Sequence, residues 1–157
     1  LCEAFELALL DEAIEKLSIS ASGKSFSIGG ALSEFGLVAD PANAHWIRSI
    51  RLPGRLLARL VWRDKPVHVD AYLNGPAIGA GLELAAFAHQ VTAHPKAWIQ
   101  LPEITMGLIP GAGGTVSVSR RIGRHKTAYM ALTGKRIRAE TACEWGLFDK
   151  IETHEET

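Results

Sequence analysis

The chain has 157 residues, enough for one domain with a substantial core, and its 47% hydrophobic and 22% charged residues are ordinary for a soluble globular protein. Lys plus Arg and Asp plus Glu balance at 17 each, which removes any general electrostatic argument for a nucleic acid or a membrane as partner. No apolar run approaches the ~20 residues of a membrane helix, no basic segment leads an apolar one as in a secretory leader, and the two distant cysteines, Cys2 and Cys143, read as reduced thiols of a cytoplasmic protein.

Leu7, Leu10, Ile14 and Leu17 recur at helical spacing among acidic residues and predict an amphipathic helix over residues 2–17. The first residue already lies inside that pattern with no cap before it, which suggests a missing or processed upstream part. Ser18 to Ala21 reads as a short strand, Ser22-Gly23-Lys24 as a turn, and Gly29-Gly30 after an apolar run as a sharp turn or a close backbone approach. Asp40-Pro41 starts a helix that runs toward Arg63 with a break at Pro53-Gly54; Arg51, Arg55, Arg59 and Arg63 share one face, read as solvated or subunit-facing, with a phosphate-bearing ligand as the other reading. Lys65-Pro66 ends it. Val67 to Leu73 alternates as a strand into the turn Asn74-Gly75-Pro76. Then come Gly79-Ala80-Gly81, a helical run from Leu82 to Ala88, and short strands at 91–94 and 98–100. The Gly/Pro-rich loop 107–114 leads to helices over 115–122, 125–132 and 139–145, stopped by Gly123, Gly134 and Gly146, and a closing strand at 147–151 precedes a polar tail, 152–157. The recurrence of strand, glycine turn and helix argues for a layered α/β domain over residues 1–151.

Within this frame two glutamates stand out. Glu83 and Glu103 lie among glycines, prolines and apolar residues, where a carboxylate is costly unless it is paired or used. Glycines at 79 and 81 and the small Ala80 leave the first N–H groups of the following helix open to a ligand, and a developing oxyanion is the natural guest. Gly29-Gly30 offers a second N–H donor if the fold brings it alongside. Two carboxylates near one reacting carbon skeleton can divide acid and base work; each alone also reads as a surface or structurally paired glutamate. Gly111-Ala112-Gly113-Gly114-Thr115 resembles a phosphate cradle but lacks the Gly-Lys-Ser/Thr ending of a P-loop, and Gly79-Ala80-Gly81 does not complete a dinucleotide fingerprint because Leu84 stands at its last position. The six histidines show no metal-ligand spacing, Ser117 and Ser119 have no nucleophile-elbow context, and the run Arg120-Arg121 to Arg124-His125-Lys126 reads as a solvated helix surface.

Four segments, taken in order, resemble the crotonase superfamily, the enoyl-CoA hydratase/isomerase family: Phe26 to Leu32, Lys65 to Leu84, Gln100 to Thr115, and Thr133 to Leu147. The resemblance covers about Leu1 to Ile151. It implies a ClpP/crotonase-type α/β spiral of β-β-α units, here lacking the family's N-terminal strands and C-terminal helical region, and assembly as a homotrimer or a pair of trimers. It implies that the N–H groups of Gly30 and Ala80 grip the thioester carbonyl of an acyl-CoA, that Glu83 positions and deprotonates a water, and that Glu103 supplies the proton to the α-carbon of a 2-enoyl-CoA. Backbone near Ile28 and Gly30 would hold the adenine end of CoA, which enters as part of the substrate; no separate cofactor and no metal are implied. Two departures are evident: Ala31 stands where the family commonly has Asp, and Ala80 replaces the middle glycine of a usual triple. The expectation is an enoyl-CoA hydratase. A Δ3-Δ2 enoyl-CoA isomerase, a thioester hydrolase and a non-catalytic crotonase-like subunit are the alternatives.

Overall fold

The structure is a computed structural model and describes residues 1–30, 40, 42, 52–62 and 67–152. The expected helix start at Pro41, the positions of Arg51, Arg63 and Ala31, the Lys65-Pro66 stop and the tail beyond Glu152 lie outside the described residues.

Three turns of a spiral are visible. Each lays one strand in a first sheet, a shorter strand or bridge in a second, and then a helix. The first turn is β1 (Lys16–Ile19), the bridge of Ser27 to Ala77, and α2 (Pro53–Val61); α1 (Cys2–Leu10) precedes it. The second is β2 (His68–Leu73), β3 (Ala77–Ile78) and α3 (Ala80–Ala85). The third is β4 (Gln90–Ala93), β5 (Trp98–Gln100), a 3-10 turn at Glu103–Met106 and α4 (Gly114–Thr133). β6 (Ile137–Arg138), α5 (Ala139–Trp145) and β7 (Lys150–Ile151) follow. The first sheet has the order β1-β2-β4-β7, all parallel, and the second β3-β5-β6, with β6 antiparallel. Parallel neighbours need a crossover, and the helix of each turn supplies it.

Burial explains this arrangement. On β2, Val69, Ala71 and Leu73 are buried while His68, Asp70 and Tyr72 are not, the period-two pattern of a strand with one covered face. Leu56, Leu57 and Leu60 form the buried stripe of α2, leaving Arg55 and Arg59 exposed, as expected for that part of the arginine row. The expected break at Pro53-Gly54 coincides with the start of α2: Leu52 is extended and Pro53 occupies the first turn, where its missing N–H costs nothing. At Gly123 (φ 77°, ψ 160°) α4 divides into the two expected helices.

The N-terminal helix is shorter than its apolar spacing suggests. It ends at Leu10; Leu7 and Leu10 are exposed, and the buried residues are Phe5 and Ala8. Asp11 leaves the helix with extended backbone and accepts the Ala13 N–H at 2.9 Å, a local bond that competes with another helical turn. Leu17 then pairs with Val69 in β1, two residues before the buried Ile19. A parallel neighbour with unmatched backbone groups outweighs a weak helical period. The strand thus begins at Lys16, not Ser18. Likewise α3 spans Ala80–Ala85 rather than reaching Ala88, and the closing strand is confined to Lys150–Ile151.

In the basic run of α4, Arg120, Arg124, His125 and Lys126 are exposed as expected, and one residue departs. Arg121 is no surface residue: its side chain is only 12% exposed and donates to the carbonyls of Ala86 (3.1 Å), Ala88 (2.6 Å), His89 (3.1 Å) and Leu147 (3.3 Å), and to Asp149 (3.1 Å). It satisfies the carbonyls left open where α3 ends short. Arg121→Met should therefore lower the unfolding free energy by about 3 kcal/mol, because several buried acceptors lose a charged donor at once. Urea unfolding is the measurement, and a midpoint within error of wild type would contradict this account.

Candidate active site

The two glycine-rich segments singled out in the sequence lie side by side. Ser27 bridges Ala77, and its carbonyl accepts the Ile78 N–H at 2.9 Å. The packing is close enough that a Cβ added at Gly81 would stand 2.5 Å from that of Ser27, and one added at Gly29 would stand 3.8 Å from the Ala80 nitrogen. Gly29 therefore lies alongside the start of α3, with Gly30 next to it in the chain. Gly79 makes the turn into the helix at φ 52°, ψ −125°, a conformation that L side chains rarely adopt. Its N–H is taken by the Gln100 carbonyl at 2.9 Å, so the next amide, that of Ala80, is the first at the helix start without a partner among the described residues. Gly30 and Ile28 are exposed, Ile28 to 72%, an unusual position for an isoleucine.

Glu83, one turn into α3, is 1% exposed. Its Oε2 accepts the Ala112 N–H at 2.8 Å and the Gly114 N–H at 2.6 Å, and its main-chain carbonyl accepts the Ser117 hydroxyl at 2.7 Å. The glycine loop considered above as a phosphate cradle is thus a cradle for the chain's own carboxyl group. No side chain longer than hydrogen fits at Gly114, where an added Cβ would stand 2.5 Å from Glu83 Cγ. Sequence reasoning missed Ala112, Gly114 and Ser117 as partners of Glu83; the run of small residues was the available signal, but its target is 29 to 34 positions away.

Glu103 opens the 3-10 turn after Pro102. Its Oε1 lies so near Gly79 that a Cβ added there would stand 2.7 Å away, and its buried Oε2 has no hydrogen-bond partner among the described residues. Both carboxyl groups are reluctant to ionise. Burial pushes Glu83 up to about 7, with the charge of Glu103 adding to the effect and the Gly114 and Ala112 amides opposing it. Burial likewise holds Glu103 above the usual carboxylate range.

Two acids so placed resist being charged together, and near neutral pH one can hold a proton while the other does not. For Glu83 the consequence for stability has a definite sign. Between its ordinary value of 4.5 and about 7, the folded chain keeps a proton that the unfolded chain has released, so stability falls as pH rises through that window. A displacement of that size is worth about 3 kcal/mol. Glu83→Gln should remove this dependence: relative to wild type, its unfolding free energy should gain about 3 kcal/mol between pH 4.5 and about 8. Parallel stability curves for the two proteins across that range would contradict the burial argument.

The family model described as enoyl-CoA hydratase/isomerase matches residues 1–157. The chain belongs to the enoyl-CoA hydratase/isomerase family. Among curated relatives of this crotonase-type chain, the 2,3-dehydroadipyl-CoA hydratase of Escherichia coli is 36% identical over 151 residues, which are 96% of the chain and 56% of that protein. The human peroxisomal bifunctional enzyme is 35% identical over 143 residues, 90% of the chain and 20% of that protein. The chain therefore spans about half the length of the first and a fifth of the second. Solved structures agree in fold: an enoyl-CoA hydratase from Thermoplasma volcanium superposes with a TM-score of 0.81 at 34% identity, covering 96% of the chain and 58% of that structure. DspI from Pseudomonas aeruginosa gives 0.83 at 32% identity, covering 96% and 56%. The α/β crotonase-like fold expected from the sequence is thus established. Among the described residues no group of His, Cys, Asp and Glu could hold a metal ion, and no helix is long and apolar enough to cross a membrane.

Proposed function

We propose that the chain carries the catalytic centre of an enoyl-CoA hydratase. The observation that supports this reading most is the meeting of Glu83, Glu103 and the Ala80 amide around the start of α3, with the Gly29-Gly30 turn beside them. The Gly30 and Ala80 N–H groups hold the thioester oxygen. Glu83 takes a proton from water as the water oxygen bonds to the β-carbon. The double-bond electrons move into the α-carbon and carbonyl, giving an enolate that the two amides stabilise. Glu103 then delivers its proton to the α-carbon, and exchange with solvent restores the two acids. An acidity near 7 suits a base working at neutral pH, since the group is then charged often enough to act and basic enough to accept a proton.

CoA comes with the substrate, its adenine end on the backbone near Ile28 and Gly30, and no other cofactor is needed. The hydratase named among the relatives supports hydration over the family's other outcomes. The same reading assigns the protein to the cytoplasm as a homotrimer or a pair of trimers, with neither nucleic acid nor membrane as partner. Loss of the enone chromophore of crotonyl-CoA tests the reaction, and mass spectrometry of the products separates hydration from isomerisation of the double bond and from release of free CoA. No turnover across several acyl lengths, together with stable association with another chain, would favour a non-catalytic subunit instead.

A further inference from the structure

Ala112 is engaged on two sides. Its N–H donates to Glu83 at 2.8 Å, and its carbonyl faces α2, where a Cβ added at Gly54 would stand 2.6 Å from the oxygen. The ring of Phe87 fills the space beside this contact. A Cβ added at Gly54 would stand 2.9 Å from Phe87 Cε2, and one added at Gly113 would stand 2.9 Å from both Cε2 and Cζ. The ring is 7% exposed and meets Trp62, at the other end of α2, edge-on at 5.6 Å. We propose that Phe87 is a positioning residue: wedged between α2 and the backbone at 112–113, it keeps the Ala112 and Gly114 amides on Glu83 Oε2.

The argument is one of packing. Gly54 and Gly113 have no side chains of their own with which to fix the distance between helix and loop, so the ring sets it. Shortening the ring side chain opens a space into which a glycine-rich backbone can move at little steric cost. The two amides would then leave the carboxylate, and Glu83 would lose the donors that favour its charged form. The consequence for turnover rests on the hydration reading above; the positioning itself does not.

The test is amide NMR between about pH 5 and 9, where the Glu83 carboxyl changes charge. In the wild type, the Ala112 and Gly114 amide shifts should follow one titration. In Phe87→Leu both should lose that response or titrate at a displaced midpoint. Phe148→Leu, an equivalent change at a fully buried ring in the turn before β7, should leave it as in wild type. Gly54→Ala presses on the same loop from the helix side and should act like Phe87→Leu, so it carries the test if Phe87→Leu does not fold. A folded Phe87→Leu or Gly54→Ala protein with both amides titrating as in wild type overturns the proposal, as does an equal displacement in Phe148→Leu. With crotonyl-CoA, Phe87→Leu should lower kcat by up to about 100-fold with little change in KM. A wild type that titrates as expected but hydrates no enoyl-CoA would sink the proposed reaction and leave the positioning role standing.

Discussion

Glu103→Gln should lower kcat for the hydration of crotonyl-CoA by about 1,000-fold while changing KM by less than about threefold. The amide keeps the shape of the side chain beside Gly79, so the substrate is still held, but it has no acidic proton to give to the α-carbon. The same substitution has a second consequence that needs no turnover. When Glu103 is ionised its charge is one of the causes that raise Glu83, and glutamine carries none at any pH, so the Glu83 midpoint should fall below about 7. The proposed reaction needs Glu83 ionised and Glu103 protonated, so kcat/KM of the wild type should pass through a maximum as pH rises past the ionisation of the pair. A Glu103→Gln protein retaining more than about a tenth of wild-type kcat would remove Glu103 from the reaction. An unchanged Glu83 midpoint would mean that the two carboxyl groups do not sense each other.

Ala80→Pro tests the proposed oxyanion donor with little disturbance of the backbone. Ala80 is the first residue of α3, the one helical position where proline is well accommodated. Gly79 before it, at φ 52° and ψ −125°, lies in the mirror image of the extended region that a residue preceding proline prefers, and glycine can occupy it. The substitution thus deletes one N–H group, a group with no hydrogen-bond partner among the described residues. Losing one such donor should cost about 100- to 1,000-fold in kcat. Ala80→Gly keeps the N–H, removes only a methyl group, and should remain active. Unfolding curves would show that Ala80→Pro is still folded; a folded variant with kcat within about tenfold of wild type would take the oxyanion role away from Ala80.

The sequence read differently in different places, and the reasons are physical. Around Glu83 and Glu103 the local pattern was strong: glycines force turns, prolines stop elements, and an isolated acid among apolar residues must be accounted for. Those constraints act over a few residues and survive without tertiary knowledge. The spacing of Leu7, Leu10, Ile14 and Leu17 misled because periodicity records which residues are apolar, not which of them the rest of the chain covers. Leu10 is 81% exposed, whereas Leu17 is drawn into a strand by β2, where it pairs with the distant Val69.

By itself the chain determined its α/β class, the turn-helix units at 79–85 and 113–133, and the choice of two acids as candidate chemistry, because backbone conformation and the cost of burying charge are set by local residue type. Only the tertiary structure decided what those residues touch. It gave the glycine loop at 111–114 to Glu83 rather than to a phosphate, turned Arg121 inward to the open carbonyls behind α3, and set Gly29 beside the Ala80 nitrogen. Contacts between residues so far apart in the chain depend on how successive turns of the spiral stack, and no short-range pattern in the sequence encodes that stacking.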